Sequence, residues 1–321
     1  MKSRLNSPVP KPQILKKAGA VAATVLLLAF LLLDPVRASE ASAAGLLLWF
    51  HTLVPVLLPF FILSSLLIAL DGVSSLMGFL YPVLHQIFGC SREGCFCLAS
   101  GFLCGFPTGA RITGELVRTR HISVEEGDYL LGFCNNVSPA FLIGFCVTKS
   151  LGRPSLAGPA LLLAFGVPVL FGLFTRRGRS FSSLPAEKKT SGSQISFKIA
   201  DACIMSGLES ILKLGCYIIL FSLLAGLLKG LPWPHPALAC ALTGFLEITN
   251  GISLTAASNL PARLSFALIL GTAAFGGLSG LAQTQSMIDG SGLSLGRYLK
   301  AKLLTALAAA SCALALEPFL S

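Results

Sequence analysis

The strongest constraint on this fold is a succession of eight apolar runs along the chain, each suited in length to the hydrocarbon core of a bilayer. A helix needs roughly 20 apolar residues to cross about 30 Å of hydrocarbon. Most of the chain is therefore expected to lie in lipid. The runs are Ala18–Leu33, Gly45–Leu70, Tyr129–Val147, Leu156–Phe174, Leu214–Leu228, Ala237–Ala257, Leu264–Leu281 and Ala301–Leu316.

The composition supports a membrane protein. Only 12% of the residues are charged, whereas a soluble domain carries about 25%. The net charge of +10 is explained by basic residues that flank the spans, so we predict a lipid bilayer as partner and no nucleic acid. The ten cysteines lack paired CxxC spacing and are interpreted as small buried hydrophobic residues, with no metal site and no cofactor.

The first apolar run allows two interpretations. Lys16 and Lys17 precede it and small residues follow Arg37, a pattern that also occurs in secretory signal peptides cleaved, in this case, near Ala38. The run is long for the apolar part of a signal peptide, and the rest of the chain is itself apolar. We therefore predict an uncleaved first span and keep cleavage as the alternative.

A polar, Ser-rich stretch between Phe174 and Ile199 divides the chain. It predicts four regions: a cytoplasmic tail with the first span at 1–44, a first membrane repeat at 45–175, a basic cytoplasmic linker at 176–200, and a second membrane repeat at 201–321. Six basic residues mark the stretch, namely Arg176, Arg177, Arg179, Lys188, Lys189 and Lys198.

Similar segments occur in the same order on both sides of this stretch. The segment Phe61–Leu70 resembles Ile218–Leu228 when Ser65 is matched to Ser222. Further pairs follow in order: Gly101-Phe-Leu with Gly244-Phe-Leu, Thr108-Gly109 with Asn250-Gly251, and Leu131-Gly132 with Leu270-Gly271. This order predicts an internal repeat.

Charge distribution gives the orientation of the repeats. If Gly94–Val117 and Ala237–Ala257 are re-entrant hairpins, seventeen of the 24 lysines and arginines lie on the cytoplasmic side, among them Arg297, Lys300 and Lys302. If both hairpins crossed the membrane, the basic linker would lie outside, against the usual bias. The predicted fold is therefore an all-α polytopic membrane protein, an inverted repeat with re-entrant hairpins and broken helices.

The first hairpin contains the first candidate site. Glycines, Pro107 and Thr108 interrupt the helix at membrane depth, where free backbone groups are costly unless they line a cavity. A half-helix that begins near Thr108 and Gly109 would direct a positive dipole end inward, and Arg111 would add a full charge. An anion site is predicted here. The alternatives for Arg111 are snorkelling to the interface or pairing with Glu115.

A second polar cluster interrupts an apolar span. Asn135, Asn136 and Ser138 lie in the sequence Gly132-Phe-Cys-Asn-Asn-Val-Ser-Pro139 and require hydrogen-bonding partners in lipid. Asparagine can bind a carboxylate, a hydroxyl or a ring nitrogen. We expect Asn135 and Arg111 to share one central cavity. The alternative is that the asparagines only join helices through hydrogen bonds.

The second half has matching polar positions. Glu247 is a candidate proton or cation carrier, with an ion pair to a basic residue as the alternative. The remaining candidates of this half are Thr249, Asn250, Gly276, Gly277 and Ser279. The chain contains no P-loop, nucleophile elbow or HExxH motif, so we expect a solute transporter without enzymatic activity.

Four motifs carry a family resemblance: Trp49–Phe61 (WFHTLVPVLLPFF), Gly105–Arg111 (GFPTGAR), Gly132–Pro139 and Phe275–Ser279. Through them the chain resembles the YlbJ family of sporulation integral membrane proteins, within the wider group of nucleoside-recognition or Gate-domain proteins. The resemblance implies transport of dipicolinic acid into the forespore across its outer membrane. It also implies that the substrate is bound by a set of motif residues, with Gly276, Gly277 and Ser279 as further positions. The set is Pro107, Thr108, Gly109, Arg111, Asn135, Asn136 and Ser138.

Other functions stay open at this point. A Gate-domain permease for a nucleoside or another organic anion fits the same motifs, and a sporulation membrane scaffold that transports nothing would use the polar residues only for packing. Exposure of Asn135 and Arg111 to a water-filled cavity would distinguish transport from scaffolding. The sequence leaves the coupling ion open, as well as whether the chain forms a homo-oligomer.

Overall fold

The computed structural model describes residues 11–184 and 197–316, and these residues form fifteen α-helices. A π-helical turn at Trp49–Leu53 joins α2 to α3, and a π-helix follows α8 at Phe141–Leu151. The α-helices are α1 Lys11–Leu33, α2 Pro35–Leu48, α3 Val54–Ala69, α4 Val73–Leu76, α5 Tyr81–Phe88, α6 Arg92–Cys104, α7 Thr108–Arg118, α8 Val124–Cys134, α9 Ala157–Arg176, α10 Phe197–Lys229, α11 Pro236–Leu246, α12 Ile248–Ala257, α13 Ala262–Phe275, α14 Gly277–Ile288 and α15 Leu295–Leu316.

Five segments of the described chain are long and apolar enough to cross a membrane. They are Pro35–Ala69, Pro154–Arg176, Phe197–Lys229, Ala262–Ile288 and Leu295–Leu316. Their exposed faces carry large apolar side chains such as Leu162 and Phe174, as expected of surfaces that contact lipid. The chain is an integral membrane protein built of helices.

The two long helical segments that open the two halves pack antiparallel. The indole of Trp49 donates a hydrogen bond to the carbonyl of Ile211 at 2.9 Å. Glycines let the backbones approach closely, and the neighbours run in opposite order along the two segments: Ala41 beside Gly226, Gly45 beside Ser222, and Ile62 beside Gly207. Corresponding helices of the two halves therefore point in opposite directions here.

The two predicted hairpins are present and do not cross the membrane. Helices α6 and α7 pack against each other, as do α11 and α12. The longest of the four, α6, has 13 residues, or about 20 Å at 1.5 Å per residue, too short for about 30 Å of hydrocarbon. The first hairpin turns at Gly105–Pro107 and the second at Glu247.

Each half also contains a broken helix. Helix α8 ends at Cys134, and the π-helix continues beyond the break. In the second half, α13 ends at Gly276 and α14 follows directly. Gly276 and Gly277 both have positive φ angles, +85° and +73°, a conformation that glycine adopts without a steric penalty.

Contacts with α15 show that the broken helices run in opposite directions. Asp128, at the start of α8, pairs with Arg297 at the start of α15. Arg263, at the start of α13, donates to the carbonyl of Leu314 near the end of α15. Helix α8 is thus parallel to α15 and α13 antiparallel to it. This arrangement confirms the predicted inverted repeat.

The structure adds detail at the predicted domain boundaries. The boundary at residue 45 falls inside a continuous helical segment, because the Ala-rich sequence after Pro35 continues the helix up to the π-turn. Residues 185–196 of the linker, with Lys188 and Lys189, and residues 1–10 of the tail lie outside the described residues. The division into four regions and the uncleaved first span stay predictions.

Lys302, which the charge distribution predicted on the cytoplasmic side, is buried in the structure. Lys302 lies on α15, and only 2% of its surface is exposed. Its ammonium group is bonded to Asn135 at the end of α8, so it does not lie at a membrane surface. The charge count treated it as part of the basic cluster with Arg297 and Lys300, but it lies farther along the helix. That expectation was wrong, because Lys302 lies on the face of α15 that packs against the rest of the protein, whereas Leu303 and Leu304 on the other face are exposed.

The antiparallel arrangement predicts opposite sides for the ends of α9 and α10. Alkaline phosphatase fused after Arg177 should be inactive, and the same fusion after Gly230 should be active, because the enzyme needs disulfides that form outside the cytoplasm. Immunoblots should detect both fusions at similar levels. Equal activity at both positions, or the reverse pattern, would contradict the orientation.

Candidate functional site

A cavity of 440 Å³ lies between the turns of the two hairpins. Its walls are mostly apolar, which is usual for small-molecule sites. Polar side chains enter it from both halves of the protein. They are Thr52, Ser138, Lys149, Glu247, Thr249 and Gln283.

The turn of the first hairpin forms one wall of this cavity. Gly105 has a φ of +80°, and a Cβ atom there would lie 2.5 Å from the backbone nitrogen of Ser138. Only glycine allows this approach. The N–H of Phe106 donates to the carbonyl of Asn136, so the hairpin turn is attached to the broken helix. Phe106, Pro107 and Ser138 all line the cavity.

The turn of the second hairpin is held by Glu247. This residue caps α12 and is only 2% exposed. Its carboxylate accepts hydrogen bonds from the backbone N–H and hydroxyl of Thr249, and from the backbone N–H and side-chain amide of Asn250, at 2.6–3.1 Å. Among the described residues it pairs with no arginine or lysine, so capping replaces the ion pair that the sequence left open.

Asn135 joins the first hairpin to the second half. Its side-chain oxygen accepts from the backbone N–H of Ala110 at 3.2 Å, near the start of α7. Its amide donates to the hydroxyls of Thr284 and Tyr298 at 3.1 and 3.0 Å. Asn135 is thus fully hydrogen-bonded within the protein and lies outside the cavity.

Lys302 lies at the break between α8 and the π-helix. Its ammonium nitrogen donates to the backbone carbonyl of Asn135 at 3.1 Å and to the side-chain oxygen of Asn136 at 3.2 Å. The amide of Asn136 donates in turn to the carbonyl of Phe133. A lysine from the second half therefore stabilises the broken helix of the first half.

Arg111 occupies a separate polar site between α3, α7 and α10. Its guanidinium is 2% exposed, lies 3.2 Å from Glu115 and packs over the ring of Phe61 at 4.6 Å. Its N–H groups also donate to four serine hydroxyls, those of Ser64, Ser65, Ser206 and Ser210, at 2.8–3.4 Å. The pairing with Glu115, one of the alternatives from the sequence, is present.

The structure separates the predicted site residues into two groups. Pro107, Ser138, Glu247 and Thr249 line the cavity. Outside its walls lie Thr108, Gly109, Arg111, Asn135, Asn136, Asn250, Gly276, Gly277 and Ser279. The expectation that Arg111 and Asn135 share one cavity was wrong, because each is surrounded by protein groups that satisfy its hydrogen bonds.

The residues outside the cavity still support its walls. Gly276 lies against the ring of Phe106, which a Cβ atom would approach to 3.5 Å. The hydroxyl of Ser279 accepts from the amide of Gln283 at 2.9 Å. Asn250 bonds Lys229 and Ser222 as well as Glu247.

Sequence reasoning did not single out four of the important side chains. Thr52, Lys149 and Gln283 all line the cavity and were not among the candidate residues. Lys302 was counted with a basic cluster, although its position among apolar residues of the last span was a usable signal for an interior lysine.

Comparison with known proteins gives the family. No family model matches the chain, and no solved structure matches it. The sporulation integral membrane protein YlbJ of Bacillus subtilis (strain 168) is 30% identical over 330 residues, covering 89% of this chain and 79% of the relative. The chain belongs to the YlbJ family. It is accordingly an integral membrane protein of sporulation, as the sequence motifs predicted.

Two of the YlbJ-family motifs each contain both residues that line the cavity and residues that are hydrogen-bonded outside it. The motif at Gly105–Arg111 supplies both the cavity wall and Arg111, and the motif at Gly132–Pro139 supplies both Ser138 and the asparagines. In this YlbJ-family protein each motif therefore combines a surface that a solute could reach with a set of buried hydrogen bonds that holds it in position.

The environment of Arg111 predicts a structural cost. Replacing Arg111 by methionine removes the ion-pair partner of Glu115, which among the described residues keeps only the hydroxyl of Ser65 as donor, and removes a donor from four serine hydroxyls; breaking a buried pair costs about 3–5 kcal/mol. We expect a clearly lower midpoint of thermal unfolding in detergent. The control is Lys213→Met, which removes an exposed pair with Glu209 and should cost about 0–1 kcal/mol. Equal midpoints for the two variants would contradict a structural role for Arg111.

Proposed function

We propose that the protein transports a small organic anion, dipicolinate, through the cavity between the hairpin turns and has no enzymatic activity. Its place of action would be the outer forespore membrane, where the solute passes toward the forespore. The family resemblance supports the choice of solute. The observation that carries the proposal is the position of the cavity, whose walls come from both inverted halves.

The electrostatics of the cavity favour an anion. Pro107 immediately precedes α7, and Ser138 caps the helix that continues as the π-helix by accepting from the N–H of Phe141; both residues line the cavity. Two helix N-termini, each with a positive dipole end, thus border the space. Lys149 adds a full positive charge. Among the described residues of the lining, Glu247 supplies the one carboxylate, and it already accepts four hydrogen bonds.

The remaining walls suit a planar aromatic ring. Phe106, Phe141 and Phe145 line the cavity together with aliphatic side chains, and aromatic rings pack favourably on one another. Ser138 and Gln283 provide hydrogen-bonding groups of the kind that orient a ligand. Dipicolinate combines such a ring with two carboxylates and a ring nitrogen.

The repeat architecture supplies a means of transport. Secondary transporters built from inverted repeats bind solute near the membrane midplane, between half-helices, and expose it to each side in turn. Here the hairpin turns and one helix break meet at the cavity. Alternation between a state open to one side of the membrane and a state open to the other requires no chemical change in the solute.

Lys149 is expected to attract the solute. Replacing it by glutamine should raise the dipicolinate concentration for half-maximal uptake about tenfold, the equivalent of about 1.4 kcal/mol. Uptake of labelled dipicolinate into liposomes containing the purified protein measures this. Arg177→Gln is the control, because Arg177 is exposed and lies outside the cavity.

A larger side chain at Thr52 should block the cavity. Thr52→Trp is expected to abolish uptake while the amount of membrane protein stays normal, because Thr52 is exposed and lines the cavity. Leu162→Trp, at an exposed position of α9, should leave uptake unchanged. Normal uptake by the Thr52→Trp variant would show that the solute does not pass through this cavity.

The same uptake assay on the wild type distinguishes the other functions. Uptake of a nucleoside but not of dipicolinate would favour a nucleoside permease, and no uptake of either would favour a scaffold.

A further inference from the structure

Lys302 is an unusual group for the interior of a membrane protein. It lies on a membrane-spanning helix and is 2% exposed, and its two hydrogen-bond acceptors, the carbonyl of Asn135 and the side-chain oxygen of Asn136, are both neutral. Within the described residues no carboxylate pairs with it. A buried ammonium without a counter-ion is costly, and such residues within spans commonly serve ion or proton pathways.

The surroundings of Lys302 contain few ionisable groups. Helix α15 packs against α8, α9, α13 and α14. Cys134 of α8 and Tyr298 of α15 are buried with it around Asn135. The charged groups of these helices lie near helix ends, where they have other partners or face outward: Asp128 pairs with Arg297, Glu126 with Ser91, Glu125 with Arg179, Arg176 with Ile87 and Arg263 with Leu314, and Lys300 is exposed. Gain or loss of a proton by Lys302 thus changes the net charge of this region.

The position of Lys302 is one that suits a cation. Helix α8 ends at Cys134, so its last carbonyl groups and the negative end of its dipole face the break. Asn135 and Asn136 place two more oxygens there. In broken-helix transporters, unwound carbonyls and half-helix C-termini of this kind coordinate sodium ions or protons. Here the lysine ammonium occupies that position.

Lys302 is connected to the cavity wall through Asn136. Asn136 accepts from Lys302 through its side chain and from the N–H of Phe106 through its backbone carbonyl. Phe106 lines the cavity. Asn135, whose carbonyl is the other acceptor, also binds the N–H of Ala110 in α7. Charged donors make hydrogen bonds about twice as strong as neutral ones, so deprotonation of Lys302 weakens its bonds to Asn135 and Asn136, the two residues to which the first hairpin is attached.

We propose that Lys302 is the coupling site of the transporter, and that its ammonium takes the place of a sodium ion and couples solute movement to protons. In each cycle the ammonium releases one proton to water on one side and becomes a neutral amine, which takes up one proton from the other side. No other bond is formed or broken. This inference rests on the proposed transport function.

The test compares two modes of dipicolinate movement in liposomes that contain the purified protein. Exchange of labelled for unlabelled dipicolinate needs no net proton movement, whereas accumulation driven by a pH gradient does. In the wild type we expect a pH gradient to increase accumulation at least tenfold, and replacement of sodium by choline to have no effect. Lys302→Gln should lose the response to the gradient and still exchange solute. Lys300→Gln, an exposed neighbour on the same helix, should behave as the wild type.

Each contrary result has a distinct meaning. A full response to the pH gradient in Lys302→Gln, or a requirement for sodium in the wild type, would overturn the coupling role and leave transport intact. Loss of exchange in both Lys302→Gln and Lys302→Arg, at normal protein levels, would assign Lys302 a structural role and also overturn it. Absence of both exchange and accumulation in the wild type would refute the proposed function itself.

Discussion

The rest of this structure depends on one constraint: a backbone group in hydrocarbon must find a hydrogen-bond partner within the protein. Within the described residues, two hairpin turns and two helix breaks interrupt the helices, and each interruption is stabilised by particular groups. Glu247 caps the second hairpin, Asn135 binds the start of α7, and Lys302 binds the break after α8. Gly276 and Gly277 form the second helix break through their positive φ angles.

The two halves meet this requirement with different chemistry. In the second hairpin the capping group belongs to the hairpin itself, because Glu247 precedes the helix that it caps. In the first hairpin the acceptor comes from a different element, because Pro107 provides no side-chain cap and Asn135 of the broken helix binds the N–H of Ala110. The first hairpin is therefore attached to its neighbours through side chains that a change of charge can affect.

The buried polar residues fall into two kinds. Arg111 is surrounded by a carboxylate, four hydroxyls and an aromatic ring, which together compensate for its burial. Lys302 has only two neutral acceptors, so its charge is much less compensated. Burial of a charge is costly for both residues. Arg111, whose charge is compensated, serves as a structural anchor, whereas Lys302, whose charge is not, is the group that can change its protonation state.

The sequence by itself determined the membrane location, the helical class, the inverted order of the repeats and the YlbJ family. These follow from hydropathy, from the positions of basic residues and from local motifs, all of which act along the chain. It also located the breaks where glycine, proline or asparagine cluster, because these residues favour helix interruption, although Pro59 and Pro168 lie inside unbroken helices and the second hairpin turns at Glu247. Only the tertiary structure decided which polar residue faces the cavity and which is bonded inside the protein. Arg111 and Asn135 are satisfied by serines and by Thr284 and Tyr298 that lie far away in sequence, and such partners are known only once the helices have packed.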